Sequence, residues 1–225
     1  MATLRQIYFN IMNIIRGGRQ SDDELISERQ MTFMVNYYRG MLIRQDYEKK
    51  RNINPDIVQD LKCVPVVLVD KADCCEIVTD CYILRTETPI PKTIEFYYNN
   101  ALMYVGGVDK VHPFQISSIY ESTWASGNRF TGSLEKAYLL NGYVYITSNT
   151  VLKHVNIRGI FEDPITAMEY NACNNHYTCE PYEEPYPVSA SMIPIITQMI
   201  MEKELRLVLT PRSDYVGNAK EDEKN

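Results

Sequence analysis

Three residues in this sequence have types and a spacing that could do chemistry. Cys173, His176 and Cys179 offer sulfur, imidazole and sulfur at three-residue steps, the donors that hold zinc. A structural zinc site takes four ligands, usually as two close pairs. A fourth could come from Cys74 or Cys75, and the chain has no second CxxC or HxxxH pair. The pattern therefore reads as two thiols and a polar histidine, and no metal is assigned. A Cys–His nucleophilic pair needs an orienting acid and an oxyanion hole. Only His112, His154 and His176 are available for it. There is no GxSxG elbow and no Walker-type phosphate loop. Gly17-Gly18 and Gly106-Gly107 read as turn glycines, and the acid pairs Asp22-Asp23 and Glu183-Glu184 as solvated faces. The sequence thus predicts no catalytic residue and no cofactor.

Composition narrows the function classes further. The 225 residues carry a net charge of -6, which argues against non-specific duplex binding as the main role, since that needs a dense basic face. Seventeen tyrosines stand beside a single tryptophan. Tyrosine gives large contact area with a polar handle, so the enrichment suits either much interface or a β-rich core. Six cysteines without a secretory signal read as reduced thiols in a cytosol-like compartment. No apolar run reaches the roughly twenty residues of a membrane span, and no membrane partner is expected.

The elements that would position any site alternate between helix and strand. Leu4, Ile7, Tyr8, Ile11 and Ile15 make a helical stripe over 4–15. Ser21 and Glu24 form a capping-box pattern, and a long helix of about 40 Å is expected over 22–50. Its apolar sector carries Ile26, Phe33, Met34, Tyr37, Met41 and Tyr47, widened by Met31, Val35, Tyr38 and Leu42. Asn54 and Pro55 open a short helix expected to reach Lys62. Strands follow at 65–69, 73–79 and 81–85, then a hairpin around Asn99-Asn100. Residues 108–131 read as a loop or extended arm anchored by Phe114, Tyr120, Trp124 and Phe130. Leu134–Phe161 reads as a β-meander. Asn141-Gly142 supplies a type I′ turn, Val144 and Ile146 share the buried face, and Tyr143, Tyr145 and Thr147 share the other. Asp163 and Pro164 then start a short helix as N-cap and first helical residue. Three prolines between 181 and 187 mark irregular chain, and 191–209 is helical again.

The predicted class is α+β: a helical body, with a long N-terminal and a C-terminal helix, around a β-rich middle that contains the Tyr-rich meander. The regions are 1–62 helical, 63–161 β-rich with the arm at 108–131, 162–210 helical, and a polar tail at 211–225. They are expected to form one domain.

Two stretches carry a family resemblance. ISERQMTFMVNYYRGMLIRQDYEKK and KAYLLNGYVYITSNTVLKHVNIRGIFEDP resemble structural proteins encoded beside the portal in crAss-like tailed bacteriophages, and head-to-tail connector (adaptor) proteins more broadly. The resemblance covers residues 21–51 and 136–170. It implies a non-enzymatic subunit of a homo-oligomeric ring, often twelve-fold, in the neck of the virion. Such a ring joins the portal protein to the tail or a second ring protein. It continues a channel through which genomic DNA passes without sequence recognition. The protein would be made in the host bacterial cytoplasm. Phe33, Tyr37, Tyr38, Trp124, Tyr143 and Tyr145 are the candidate interface residues. Two other readings stay open: another virion ring or tail component, such as a collar or tail-tube protein, and a small thiol-dependent enzyme.

Overall fold

The computed structural model describes residues 2–16, 26–49, 54–71, 81–97, 101–126, 129–130, 134–148, 152–170 and 181–205. The expected Ser21 capping box, the 73–79 strand, the Asn99-Asn100 turn, the Cys173–Cys179 cluster and the 211–225 tail lie outside them. So do Cys74, Cys75 and the last residues of the helix expected over 191–209.

The expected α+β class holds. Helix α1 (Leu4–Ile15) starts at a full capping box, in which Thr3 accepts from the Gln6 amide and the Gln6 side chain accepts from the Thr3 amide. Helix α2 (Glu28–Glu48) is shorter than expected. Ser27 is extended and its side chain accepts from the Gln30 amide, so the helix begins there rather than at Asp22. After Asn54 only a single 3-10 turn forms, Pro55–Ile57. Val58 is already extended, because the following residues are needed in the sheet.

That sheet has seven strands: β1 (Gln59–Asp70), β2 (Tyr82–Thr86), β3 (Leu102–Gly107), β4 (Gln115–Ile116), β5 (Lys136–Leu140), β6 (Tyr143–Thr147) and β7 (His154–Gly159). Their order is β3-β7-β1-β2-β6-β5-β4. The two ends nearly meet, through a bridge between Gly106 and Pro113 and a 2.7 Å bond from the Phe114 amide to the Val105 carbonyl. The sheet is therefore close to a barrel, which removes most of its exposed edge.

The β5–β6 hairpin forms as the sequence predicts. Asn141 and Gly142 have φ of 51° and 81°, and Leu140 pairs with Tyr143. The expected meander does not form. Strand β7 lies beside β1 and β3, and both β1 and β2 stand between it and β6. The reason is the long strand β1. Its first half pairs with β7 and its second half with β2. At the change of partner Cys63 adopts φ 53° in a bulge, and Pro65 follows, lacking the N–H that a fully paired strand would need.

Two cores result. One fills the barrel with Leu61, Val64, Leu84, Val105, Phe114, Val144, Ile146, Val155, Ile157 and Phe161. The other lies among the helices: α1, α2, α5 (Met192–Met199) and the π-helical turn Ile200–Leu205. The cores adjoin at Ile160-Phe161, where Ile160 enters the helical core and Phe161 the barrel. Helix α4 (Pro164–Glu169) follows directly. Asp163 caps it, accepting from the Ile165 amide at 3.1 Å, with Pro164 in the first turn as expected.

The buried stripe of α2 differs from the expected sector. Met31, Met34, Val35, Tyr38, Leu42 and Ile43 are buried, and so is Arg39, at 0% exposure. Arg39 Nε donates to the Pro187 carbonyl at 2.7 Å, Nη1 to Phe161 at 2.9 Å and Nη2 to Ile57 at 3.5 Å. Its guanidinium lies 5.8 Å from the centre of the Tyr186 ring. One side chain thus ties the entry to β1, the exit from β7 and the approach to α5. Removing it leaves buried carbonyls without donors. Arg39→Ala is therefore expected to lower unfolding free energy by about 3–5 kcal/mol, measured as a shift in the urea midpoint. A loss within about 0.5 kcal/mol, typical of a surface substitution, would contradict this role.

Candidate assembly surface

The residues singled out for contact fall into three places. On α2, Phe33 and Tyr37 point to solvent, 69% and 58% exposed, although the sequence pattern puts them in one sector with buried Met34. They are one helical turn apart and stack, with ring centres 6.4 Å apart and planes 20° from parallel. Beside them runs a groove of about 480 Å³ lined by Tyr37, Gly40, Met41, Arg44, Ile94 and Glu162. A Cβ at Gly40 would meet nothing within 4 Å, so this glycine leaves the groove floor open.

Tyr38 lies elsewhere. It is buried, and its hydroxyl donates to Glu204 Oε1 at 2.7 Å, pinning α2 to the π-helical turn. Burial first, then the hydrogen bond to Glu204 and its charge, raise the Tyr38 phenol to about 12. Its edge-on contact with Tyr37, 5.3 Å between ring centres, supports the exposed pair from below.

Within 108–131 the chain forms β4 and helix α3 (Ile119–Ser126). Ser118 and Glu121 cap α3 reciprocally: the Ser118 hydroxyl accepts from the Glu121 amide and Glu121 Oε2 accepts from the Ser118 amide. Phe114 is buried, as an anchor should be. Tyr120, Trp124 and Phe130, expected as anchors too, are 83%, 78% and 86% exposed. Tyr120 and Trp124 are four residues apart and so share one face of α3.

The third place is the outer face of β5 and β6. Val144 and Ile146 face the barrel core, and Tyr143 and Tyr145 the outside, both half-buried. They already have partners. Tyr145 stacks on Tyr138 at 5.3 Å and 6°, and Arg85 sits 4.4 Å above the Tyr143 ring. Burial pushes the Tyr138 phenol up.

Among the described residues, no group of three or more His, Cys, Asp or Glu side chains is placed to hold a metal. Cys173, His176 and Cys179 lie outside those residues. His112 is exposed, with Nδ1 2.7 Å from Asp109 Oδ2, and this hydrogen bond is the leading cause of the lowered Asp109 pKa. No described helix is long and apolar enough to cross a membrane. The feature that sequence reasoning missed is Arg39: an arginine within an apolar stripe was the one available signal.

The family model described as phage tail ring protein 2 matches residues 6–223, which includes both the helical body and the barrel. The chain is also similar to ring protein 2 of Bacteroides phage crAss001, 26% identical over an alignment 219 positions long that covers 90% of each chain.

The Tyr38 geometry generates a pH prediction. Its folded pKa is raised above the unfolded value near 10. The associated stability is therefore full below about pH 10 and is lost as pH rises through the folded value near 12. The urea midpoint is expected to fall above about pH 10. In Tyr38→Phe the unfolding free energy should be lower at neutral pH by about 1 kcal/mol, for the lost hydrogen bond, and the midpoint should fall less steeply in alkali. A Tyr38→Phe protein with the same alkaline slope as the parent would contradict it.

Proposed function

This chain belongs to the phage tail ring protein 2 family, whose members are structural ring proteins and not enzymes, and we propose that it serves as the repeating subunit of a ring in the neck of the virion. In this reading, as the connector resemblance implies, the ring joins portal to tail, or to a second ring protein, and continues the channel through which genomic DNA passes. The observation that carries this reading is the family match over residues 6–223, which leaves neither the helical body nor the barrel to a separate activity. The connector resemblance of 21–51 and 136–170 adds the neck position and the twelve-fold symmetry. The net charge of -6 suits a channel that does not grip its DNA.

A closed ring of identical copies needs two different patches that fit each other. The exposed aromatics supply two: Phe33 and Tyr37 beside the α2 groove, and Tyr120 and Trp124 on α3. In the proposed ring the α3 face of one copy packs against the α2 face of the next. Tyr143 and Tyr145 make a smaller contact, because Arg85 and Tyr138 already cover part of them. Tyr38 contributes indirectly, by holding Tyr37 in place.

The family's description as a tail ring favours a second reading, a collar or tail component farther from the portal. Assembly with purified neighbours separates the two. Mixed with portal protein, the chain should form rings seen by negative stain, at a mass several times that of the subunit. A compact monomer that stays monomeric beside portal protein contradicts the neck reading, and rings formed only with tail proteins support the second.

The surface itself is tested by substitution. Phe33→Asp with Tyr37→Asp, or Trp124→Asp alone, should change stability by no more than about 0.5 kcal/mol, because the side chains are exposed, and should abolish ring formation. Tyr143→Ser with Tyr145→Ser should weaken assembly with the fold kept. Loss of folding in that variant would assign both tyrosines to the core.

A further inference from the structure

On the outer face of the barrel three neighbouring strands present one row of side chains. Asp60 on β1 pairs in register with Arg158 on β7, and Arg158 with Tyr104 on β3. Leu61 points into the barrel core, so Lys62 returns to the face of Asp60. Just beyond it, Asn156 clamps the β1 bulge. Its Oδ1 accepts from the Cys63 amide at 2.9 Å and its Nδ2 donates to the Val108 carbonyl at 3.0 Å. Lys110 comes from the turn after β3. There φ is 60°, and the Lys110 amide donates to the Gly107 carbonyl at 3.0 Å. Asp60, Lys62, Tyr104, Lys110, Asn156 and Arg158 together line a pocket of about 190 Å³.

The charges in this pocket do not balance. Asp60 accepts from Arg158 Nε at 2.6 Å and Nη2 at 3.3 Å, and lies 3.6 Å from Lys110. One carboxylate is thus shared by two cations. Lys62 has no hydrogen-bond or ion-pair partner among the described residues. Among the lining side chains the cations therefore outnumber the single carboxylate, with Asp109, whose charge reaches Tyr104, just outside the lining. Independently, the Tyr104 hydroxyl is buried and has no hydrogen-bond partner among the described residues. A Cβ at Gly106 would come within 2.4 Å of that oxygen, so the glycine is what lets the ring lie there. A buried polar group left unpaired is costly and calls for a partner. Burial also pushes the Tyr104 phenol up, which keeps it a donor.

We propose that this pocket binds a carboxylate side chain carried by an acidic segment of an adjoining protein in the assembly. The incoming oxygens take the Lys62 ammonium and share Lys110 with Asp60, and a small turn of the Tyr104 side chain brings its hydroxyl out to them. The volume admits one small anionic head. A nucleic-acid backbone is disfavoured, because it needs a dense basic face that a chain of net charge -6 does not supply. The site is separate from the aromatic faces, so it stands whether or not the ring contacts proposed above are correct.

A fluorescently labelled hexaglutamate peptide, titrated into the full chain at low salt and followed by anisotropy, tests the proposal. Lys62→Glu with Lys110→Glu should weaken binding at least tenfold, roughly the effect of removing and reversing two point charges. Tyr104→Phe should weaken it about threefold while leaving the fold as stable or more so, because the orphan hydroxyl is gone. Lys153→Glu, an equal charge change outside the pocket, should shift it less than about twofold. Absence of peptide binding, an equal loss in Lys153→Glu, or no loss in Tyr104→Phe would each overturn the proposal. So would a short DNA duplex that displaces the peptide at equal or lower concentration, since the pocket would then be a phosphate site.

Discussion

A single buried cation holds this architecture together. Arg39 sits at full burial inside α2 and spends its guanidinium on the carbonyls of Ile57, Phe161 and Pro187. Those residues lie in three different segments, and two of them bracket the barrel. Burial drives the Arg39 pKa down, and the charge is sustained by the nearby Tyr186 and Asp163. The Tyr186 hydroxyl donates to Asn36, whose amide donates to Asp163 at 3.3 Å, and Asp163 in turn caps α4. A polar network that starts at a buried guanidinium and runs out to the surface at Asp163 favours one arrangement of its elements. It holds the helical core and the barrel core in a defined relation although each has its own apolar contacts.

That rigidity bears on assembly. A ring closes only if each subunit presents its two contact patches at a fixed angle. In the proposed ring one aromatic patch rides on α2, which carries Arg39 itself, and the other on α3, which packs against β5 of the barrel, so the Arg39 network would set the angle between them. The stacked Phe33–Tyr37 pair is pre-organised by Tyr38 beneath it, so little side-chain freedom remains to be lost on contact.

Local structure was legible in the sequence wherever one short motif decides it. Asn141-Gly142 dictates its turn because both residues must take positive φ. Asp163-Pro164 dictates a helix start, and the alternation around Val144 and Ile146 dictates the buried face. The long-range pairing was not legible. The placement of β7 depends on a bulge at Cys63 and a partner switch along β1, and nothing in the 134–161 pattern encodes them. The faces of α2 were misread for a related reason. Periodicity cannot tell an aromatic that faces a groove, such as Tyr37, from one that meets the core, such as Tyr38. Nor can it show that Arg39 belongs inside, because its carbonyl partners come from distant segments. The family, by contrast, was visible in α2 and the hairpin region, and the match over 6–223 extends it to the rest of the chain.

The most direct test of the account is a cryo-electron microscopy reconstruction of the assembled ring, resolved well enough to place side chains. The account predicts copies related by a rotation axis, with Phe33 and Tyr37 of one copy buried against Tyr120 and Trp124 of the next. A ring in which Phe33 and Tyr37 still face solvent, with the copies joined through other surfaces, would contradict it.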